Sequence, residues 1–181
     1  GLAHRYAELA REMAAKEKNA TRKAELLAIA ETCEWVPEHP ARNLREAIQT
    51  HFFCHLCAEL EQVGCGYSEA YLGQNLEPYY QADKAAGLVD YEQAVFMFQN
   101  LVIKLNEIGY YFGEKVALQN SADLGQSISL GGYTVDGEDA TAEMDYLILD
   151  ASGYLHLPQP PLSCCWTEKM SGKFLEKVLD V

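Results

Sequence analysis

The chain has 181 residues, 49% of them hydrophobic and 23% charged, and its 14 Lys+Arg against 27 Asp+Glu give a formal net charge of −13. That composition describes a globular protein, with enough chain to bury a sizeable core without disulfide or metal staples. The acidity speaks against sequence-independent nucleic-acid binding, which needs clustered cations, and against adhesion to an anionic membrane surface. Apolar runs are broken by charge well short of the ~20 residues that span a bilayer.

In chain order, the spacing predicts a helix from Ala3 to Lys18, with Tyr6, Leu9, Ala10 and Met13 on its apolar face. Asn19-Ala20-Thr21 breaks it. Thr21 is placed to cap a second helix running to about Trp35, with Leu26, Ile29, Ala30 and Cys33 inward, ended by Pro37 and Pro40. Asn43, with Glu46 three residues on, starts a third helix that runs to about Gln62 and carries His51 and His55. Gly64-Cys65-Gly66-Tyr67-Ser68 stops it. The stretch Glu69 to Tyr80, interrupted by Pro78, reads as an irregular or extended segment. Asp90, with Gln93 as partner, caps a fourth helix whose stripe is Tyr91, Ala94, Val95, Phe98, Val102, Leu105 and Ile108.

Beyond Gly109 the pattern changes. Tyr110 to Gly125 is loop-like, and Gln126-Ser127-Ile128-Ser129-Leu130 alternates as a strand does, stopped by Gly131-Gly132. Asp139 or Thr141 opens a fifth helix carrying Met144, Leu147, Ile148 and Ala151. After a Pro-rich connector, Leu162-Ser163-Cys164-Cys165-Trp166 fits a buried strand, and Ser171 caps a last amphipathic helix with Phe174, Leu175 and Val178. Helices alternating with short strands late in the chain indicate an α/β fold.

Six cysteines raise the question of a disulfide framework. Most of them sit among apolar residues, where a reduced thiol packs as a small hydrophobe, so the reading is a reducing cytoplasm. Cys54-His55-Leu56-Cys57 has CxxC spacing but lies inside a helix with no second pair, and His51 and His55 have i,i+4 ligand spacing without the Glu of an HExxH motif. Neither is assigned a metal. A metal-binding helical protein using Cys54, Cys57, Cys65 and His55 is the weakest alternative.

Ordered segments carry a resemblance. Cys33-Glu34-Trp35-Val36-Pro37 with Pro40-Ala41-Arg42 and Glu46-Ala47-Ile48-Gln49 resembles "VPxxPARTFxEALQ" of the pyruvate formate-lyase domain of glycyl radical enzymes. Phe53, His55, Leu56 and Glu61 resemble its "WFIHL…QIE" helix, Glu77-Pro78-Tyr79-Tyr80 its "YPYY", and Ile103-Lys104-Leu105-Asn106-Glu107 its "WIKLNE". Leu130-Gly131-Gly132 with Asp136-Gly137 and Asp139-Ala140-Thr141 resembles "LTLGG…DGxDATNEL", and Leu157-Pro158-Gln159-Pro160-Pro161-Leu162-Ser163 resembles "LPQPSLS". The set is collinear over nearly the whole chain, in the branch with glycerol dehydratase, choline trimethylamine-lyase and decarboxylases.

The resemblance implies part of a ten-strand α/β barrel, predominantly helical in this segment, with residues 1–181 a central fragment of the domain. It implies a lyase that breaks a C–O, C–C, C–N or C–S bond of a small organic substrate by Cys-thiyl hydrogen abstraction, inside a barrel that shields the radical. The chain itself binds no cofactor; a radical S-adenosylmethionine iron–sulfur activating enzyme would install the glycyl radical, and the full-length protein would be a cytoplasmic homodimer. The family's "GCxE" and "RVxGY" motifs do not occur here: Gly64-Cys65-Gly66 lacks the Glu, and no Gly-Tyr pair follows Arg-Val. No catalytic residue is therefore expected in this segment, and the chain alone is expected to be inactive. Cys65, Gly66, Ser68, Gln126 and Ser127 are the substrate-pocket candidates. Where related members read "GHSxSxGRFD", Cys65 replaces His and Gly66 replaces Ser, which points to a substrate other than a diol. The competing expectation is a short non-catalytic protein that keeps part of the barrel as a binding or assembly module.

Overall fold

The computed structural model of the protein describes residues 1–61, 66–108 and 126–181. Among these, the elements in order are α1 (Leu2–Lys16), α2 (Ala20–Trp35), α3 (Leu44–Glu61), α4 (Leu72–Ala85), α5 (Tyr91–Glu107), β1 (Ile128–Gly131), α6 (Glu143–Leu155), β2 (Leu162–Cys165) and α7 (Gly172–Asp180). β1 and β2 pair in parallel, Ile128 opposite Leu162 through Gly131 opposite Cys165, with α6 as the crossover. The segment is thus mostly helical with a small parallel sheet. Cys65 and the loop-like Tyr110 to Gly125 lie outside the described residues; the strand at Ile128 and the helix carrying Met144 and Leu147 fall where the residue pattern places them, and a strand does form at Leu162, but with Ser163 and Cys165 exposed it is not the buried strand expected.

α1 and α2 form a hairpin that packs through small residues. Ala3, Ala7, Ala10 and Ala14 are buried on α1 and meet the α2 face that buries Leu26, Ala30 and Cys33, while Tyr6, Leu9 and Met13 stay about half exposed. Of the expected face Tyr6, Leu9, Ala10 and Met13, only Ala10 is buried: alanines let two helices approach closely, and the larger side chains flank the contact and line an open apolar groove of about 830 Å³ between this hairpin and α3/α5. Asn19, not Thr21, caps α2, accepting from the Arg22 amide at 3.1 Å. The expected burial of most thiols also fails in part: Cys33 is buried, but Cys54, Cys57 and Cys165 are exposed.

The main core joins α3, α4, α5, α6, β1 and α7 around Tyr80, Phe98, Leu105, Ile128, Leu147 and Phe174. Three caps lie where the residue pattern puts them: Asn43 accepts from Glu46 N, Asp90 and Gln93 form a reciprocal capping box, and Ser171 accepts from Phe174 N. Glu46 turns away from its expected capping role and pairs with Arg42, whose guanidinium lies 4.5 Å over the Trp35 ring. α6 is capped at Ala142 rather than at Asp139 or Thr141, with the Asp145 carboxylate accepting the Ala142 amide at 2.8 Å.

The largest departure is α4. The stretch from Glu69 to Tyr80 is not irregular: it becomes helical at Leu72 and stays so through Pro78. A proline inside a helix removes one hydrogen bond and crowds the preceding turn, at a cost of about 3 kcal/mol. Tertiary contacts outweigh it. Leu72, Leu76 and Tyr80 recur every four residues and are buried, and two acids on α4 cap other helices: Asp83 accepts the Leu44 amide of α3 and Glu77 the Met144 amide of α6, each at 2.9 Å. α4 thereby sets where α3 and α6 begin.

Candidate functional site

The second half of α3 presents His51, His55 and Glu59 one turn apart, so all three project from one face. His55 and Glu59 are buried, and His51 is half-buried. Beside them residues 66–69 run extended along the outer edge of β1. Glu69 pairs with Ile128 in a parallel bridge: its amide donates to Ser127 O at 2.6 Å, and its carbonyl accepts from the Ser129 amide at 2.8 Å. This lengthens the sheet by one short extended segment and fixes the direction of the Glu69 side chain.

That carboxylate points at α3. His55 Nδ1 lies 2.5 Å from Glu69 Oε1, and His51 Nε2 lies 3.1 Å from the same oxygen, off the direction a hydrogen bond requires. The other His55 nitrogen, Nε2, faces Gln126 Oε1 at 2.8 Å. Gln126 is itself buried, and its Nε2 donates to the Leu105 carbonyl in the last turn of α5 at 2.9 Å. The Leu105 contact settles which way the amide points, so His55 Nε2 is the donor toward Gln126. Glu59 completes the centre by accepting the Tyr67 amide at 3.0 Å and standing 3.8 Å from His55 Nε2.

The electrostatics follow from burial and partners. Desolvation works against an ionised Glu69, but the two imidazoles beside it, His51 and His55, outweigh it and hold the carboxyl down at about 2. For His55 desolvation is again the largest single influence and disfavours the cation; Glu69, Gln126 and Glu59 together overcome it, and the imidazole stays charged to higher pH than usual. One buried centre therefore ties α3, α5, the 66–69 segment and the start of β1 together.

The pocket candidates can now be placed. Ser68 and Ser127 meet: the Ser127 amide donates to Ser68 Oγ at 3.3 Å, and the two hydroxyl oxygens are 3.2 Å apart. Gly66 precedes them in the same segment, partly exposed, and Gln126 lies buried behind them. Segments nearly 60 residues apart in sequence thus converge on one face, next to the His55–Glu69 pair. Cys65 lies outside the described residues. Glu69 was not singled out by sequence reasoning, since no motif links it to the histidines; the one local signal, the i,i+4 spacing of His51 and His55, lacks its third member until the fold supplies it from 14 residues on.

Comparison with known proteins gives the setting. The chain matches the family described as pyruvate formate lyase-like over residues 1–181. It is 32% identical over 187 residues to trans-4-hydroxy-L-proline dehydratase of Clostridioides difficile, covering 99% of this chain and 23% of that protein. With isethionate sulfite-lyase of Desulfovibrio desulfuricans it shares 37% identity over 181 residues, covering 98% of this chain and 22% of the relative. The crystal structure of the Clostridioides difficile hydroxyproline dehydratase with trans-4-hydroxy-L-proline bound aligns with a TM-score of 0.92 at 32% identity, over 99% of this chain and 23% of that one. The chain therefore spans less than a quarter of the length of these relatives.

Proposed function

The chain belongs to the pyruvate formate lyase-like family, whose members matched here are glycyl radical enzymes, and from that premise we propose that it is a central segment of a glycyl radical lyase and forms part of the wall of its substrate pocket. The observation that carries this reading is the convergence of residues 66–68 with Gln126 and Ser127 on one face, held by the buried contacts of His55 with Glu69 and Gln126. A wall of this kind must be stiff, because a radical lyase places one C–H bond of its substrate near one thiyl sulfur, and small displacements are costly in rate.

In this reading Gly66, Ser68, Gln126 and Ser127, with Cys65 beside them, line or back the pocket, and no metal ion takes part in the bond cleavage. The hydroxyls of Ser68 and Ser127 are the groups able to hydrogen-bond a small polar substrate, while Gln126, bonded on both sides, orients the strand start instead of meeting substrate. The relatives act on trans-4-hydroxy-L-proline and on isethionate, both small polar molecules, and a substrate of that size and polarity suits two adjacent hydroxyls. Cleavage of its C–O, C–C, C–N or C–S bond is the reaction proposed. The abstracting thiyl and the glycyl radical would be supplied by residues that the chain does not carry, after a radical S-adenosylmethionine activating enzyme installs the radical in a cytoplasmic, dimeric protein.

The test uses the intact protein, activated without oxygen. A Ser68→Ala, Ser127→Ala double variant is expected to raise KM about tenfold, the loss of one good substrate hydrogen bond, while the glycyl radical signal in electron paramagnetic resonance keeps its wild-type intensity. An unchanged KM removes these residues from the pocket. A protein that acquires no radical signal with any activating enzyme encoded beside it overturns the lyase reading itself.

A further inference from the structure

The geometry around Glu69 fits a ligand that the lyase reading does not require. One ring nitrogen each of His51 and His55 and a Glu69 carboxylate oxygen all lie within 4.8 Å of one another. We propose that these three side chains form a two-histidine, one-carboxylate site for a borderline divalent transition ion of the zinc(II) or iron(II) class.

Four observations carry this. First, ligating histidines ordinarily donate their second ring N–H to a fixed acceptor, which sets the tautomer and the ring plane. Gln126 Oε1 is that acceptor for His55 at 2.8 Å, and it is fixed by the Leu105 carbonyl holding the other end of the amide. Nδ1 is then the ring atom presented to Glu69.

Second, His51 Nε2 is buried and makes no directed hydrogen bond, although it lies 3.1 Å from Glu69 Oε1. A nitrogen in that position is better satisfied by a cation between the ligand atoms than by the carboxylate directly. Third, the two separations to the Glu69 oxygen are close to the right size. Ligand bonds of about 2.0–2.2 Å place neighbouring donor atoms roughly 3 Å apart. The His51 to Glu69 distance already meets that, and the His55 to Glu69 distance of 2.5 Å opens by about half an ångström when an ion takes the place of the shared proton.

Fourth, the site is rich in negative charge. Glu59, almost wholly buried, stands 3.8 Å from His55 Nε2, so two carboxylates border two imidazoles within a chain of net charge −13. Three protein ligands leave at least one coordination position open, and the His51 side, the less buried of the two histidines, is the side from which water or a small ligand would reach it. Cys54 and Cys57 lie exposed on the same helix but are not members of this cluster.

The experiment is a cobalt(II) titration of the intact protein, purified without oxygen and freed of metal by a chelator, followed by visible d–d absorption and competed with zinc(II). One saturable cobalt ion per chain is expected, displaced by one zinc ion. Glu69→Gln and His51→Asn are each expected to weaken binding by at least about tenfold, while the Cys54→Ser, Cys57→Ser double variant changes it less than about threefold. His51 is only half-buried, so His51→Asn reads the ligand role even where Glu69→Gln loosens the segment. Absence of a saturable band, wild-type affinity in His51→Asn, or loss of the band with the two cysteines overturns the site. None of these outcomes bears on the radical signal or on KM, so the metal site and the lyase reading fail separately.

Discussion

Two carboxylates, Asp145 buried and Glu69 partly so, behave in opposite ways. Glu69 beside β1 is held at about 2, and Asp145 in the first turn of α6 is pushed up to about 6, with burial the largest influence on both. Their partners make the difference. Glu69 meets two imidazoles, whereas Asp145 meets the backbone amides of Ala142 and Gly131 and has Glu77 and Asp139 as neighbours, which add repulsion. Asp145 is also closely packed: a Cβ on Gly73 would stand 2.1 Å from its Oδ1. Asp145 is a cap built into a tight helix junction. Glu69 is a charge paired with two imidazoles.

The comparison can be broken at either end. Removing one partner of a buried charged pair is costly because the other is left behind, so Glu69→Gln is expected to lower the local opening free energy of residues 126–131 by about 3 kcal/mol, read by native-state hydrogen exchange in the intact protein. Protection unchanged by Glu69→Gln would mean that backbone pairing alone holds the segment. A smaller effect is expected at Asp145. A carboxyl whose folded value is raised from 3.8 to about 6 contributes stability that is present below pH 3.8 and lost as pH rises through about 6. Opening at the start of α6 is therefore expected to become easier between pH 4 and 7, by up to about 2–3 kcal/mol, and Asp145→Asn is expected to abolish that slope. Glu69 has the opposite sign: its contribution is present above pH 4.5 and is lost only as pH falls toward about 2. The 126–131 segment should then show from this group only a small slope of the opposite sign, confined to the acid end of the same window. Equal slopes in both places would erase the distinction.

Local signals in the sequence carried some parts of this molecule and not others. Asn43, Asp90 and Ser171 cap helices as residue type and spacing say, because a cap is a contact within four residues. Strand β1 and helix α6 were legible from alternation and from the Met144, Leu147, Ile148, Ala151 stripe, all four of which are buried. α4 was not, because Pro78 is a local signal for a break and the reasons to override it, the Leu44 and Met144 amides, lie in other elements. On α1 only Ala10 of the expected stripe is buried, because alanines pack where two helices touch and Tyr6, Leu9 and Met13 are too large for that contact. Of the site, Ser68, Gln126 and Ser127 were singled out by family resemblance and do stand together, whereas Glu69 joins His51 and His55 only once the chain has folded back on α3.

His55 and Glu69 act as one unit joining α3 to the sheet edge. A double-mutant cycle with His55→Ala and Glu69→Gln, read as hydrogen exchange at the Ser129 amide that donates to the Glu69 carbonyl, tests it most directly. Two groups in direct contact are expected to couple by about 2 kcal/mol or more, the double variant opening little more easily than either single one. Effects that add to within about 0.5 kcal/mol would contradict the account.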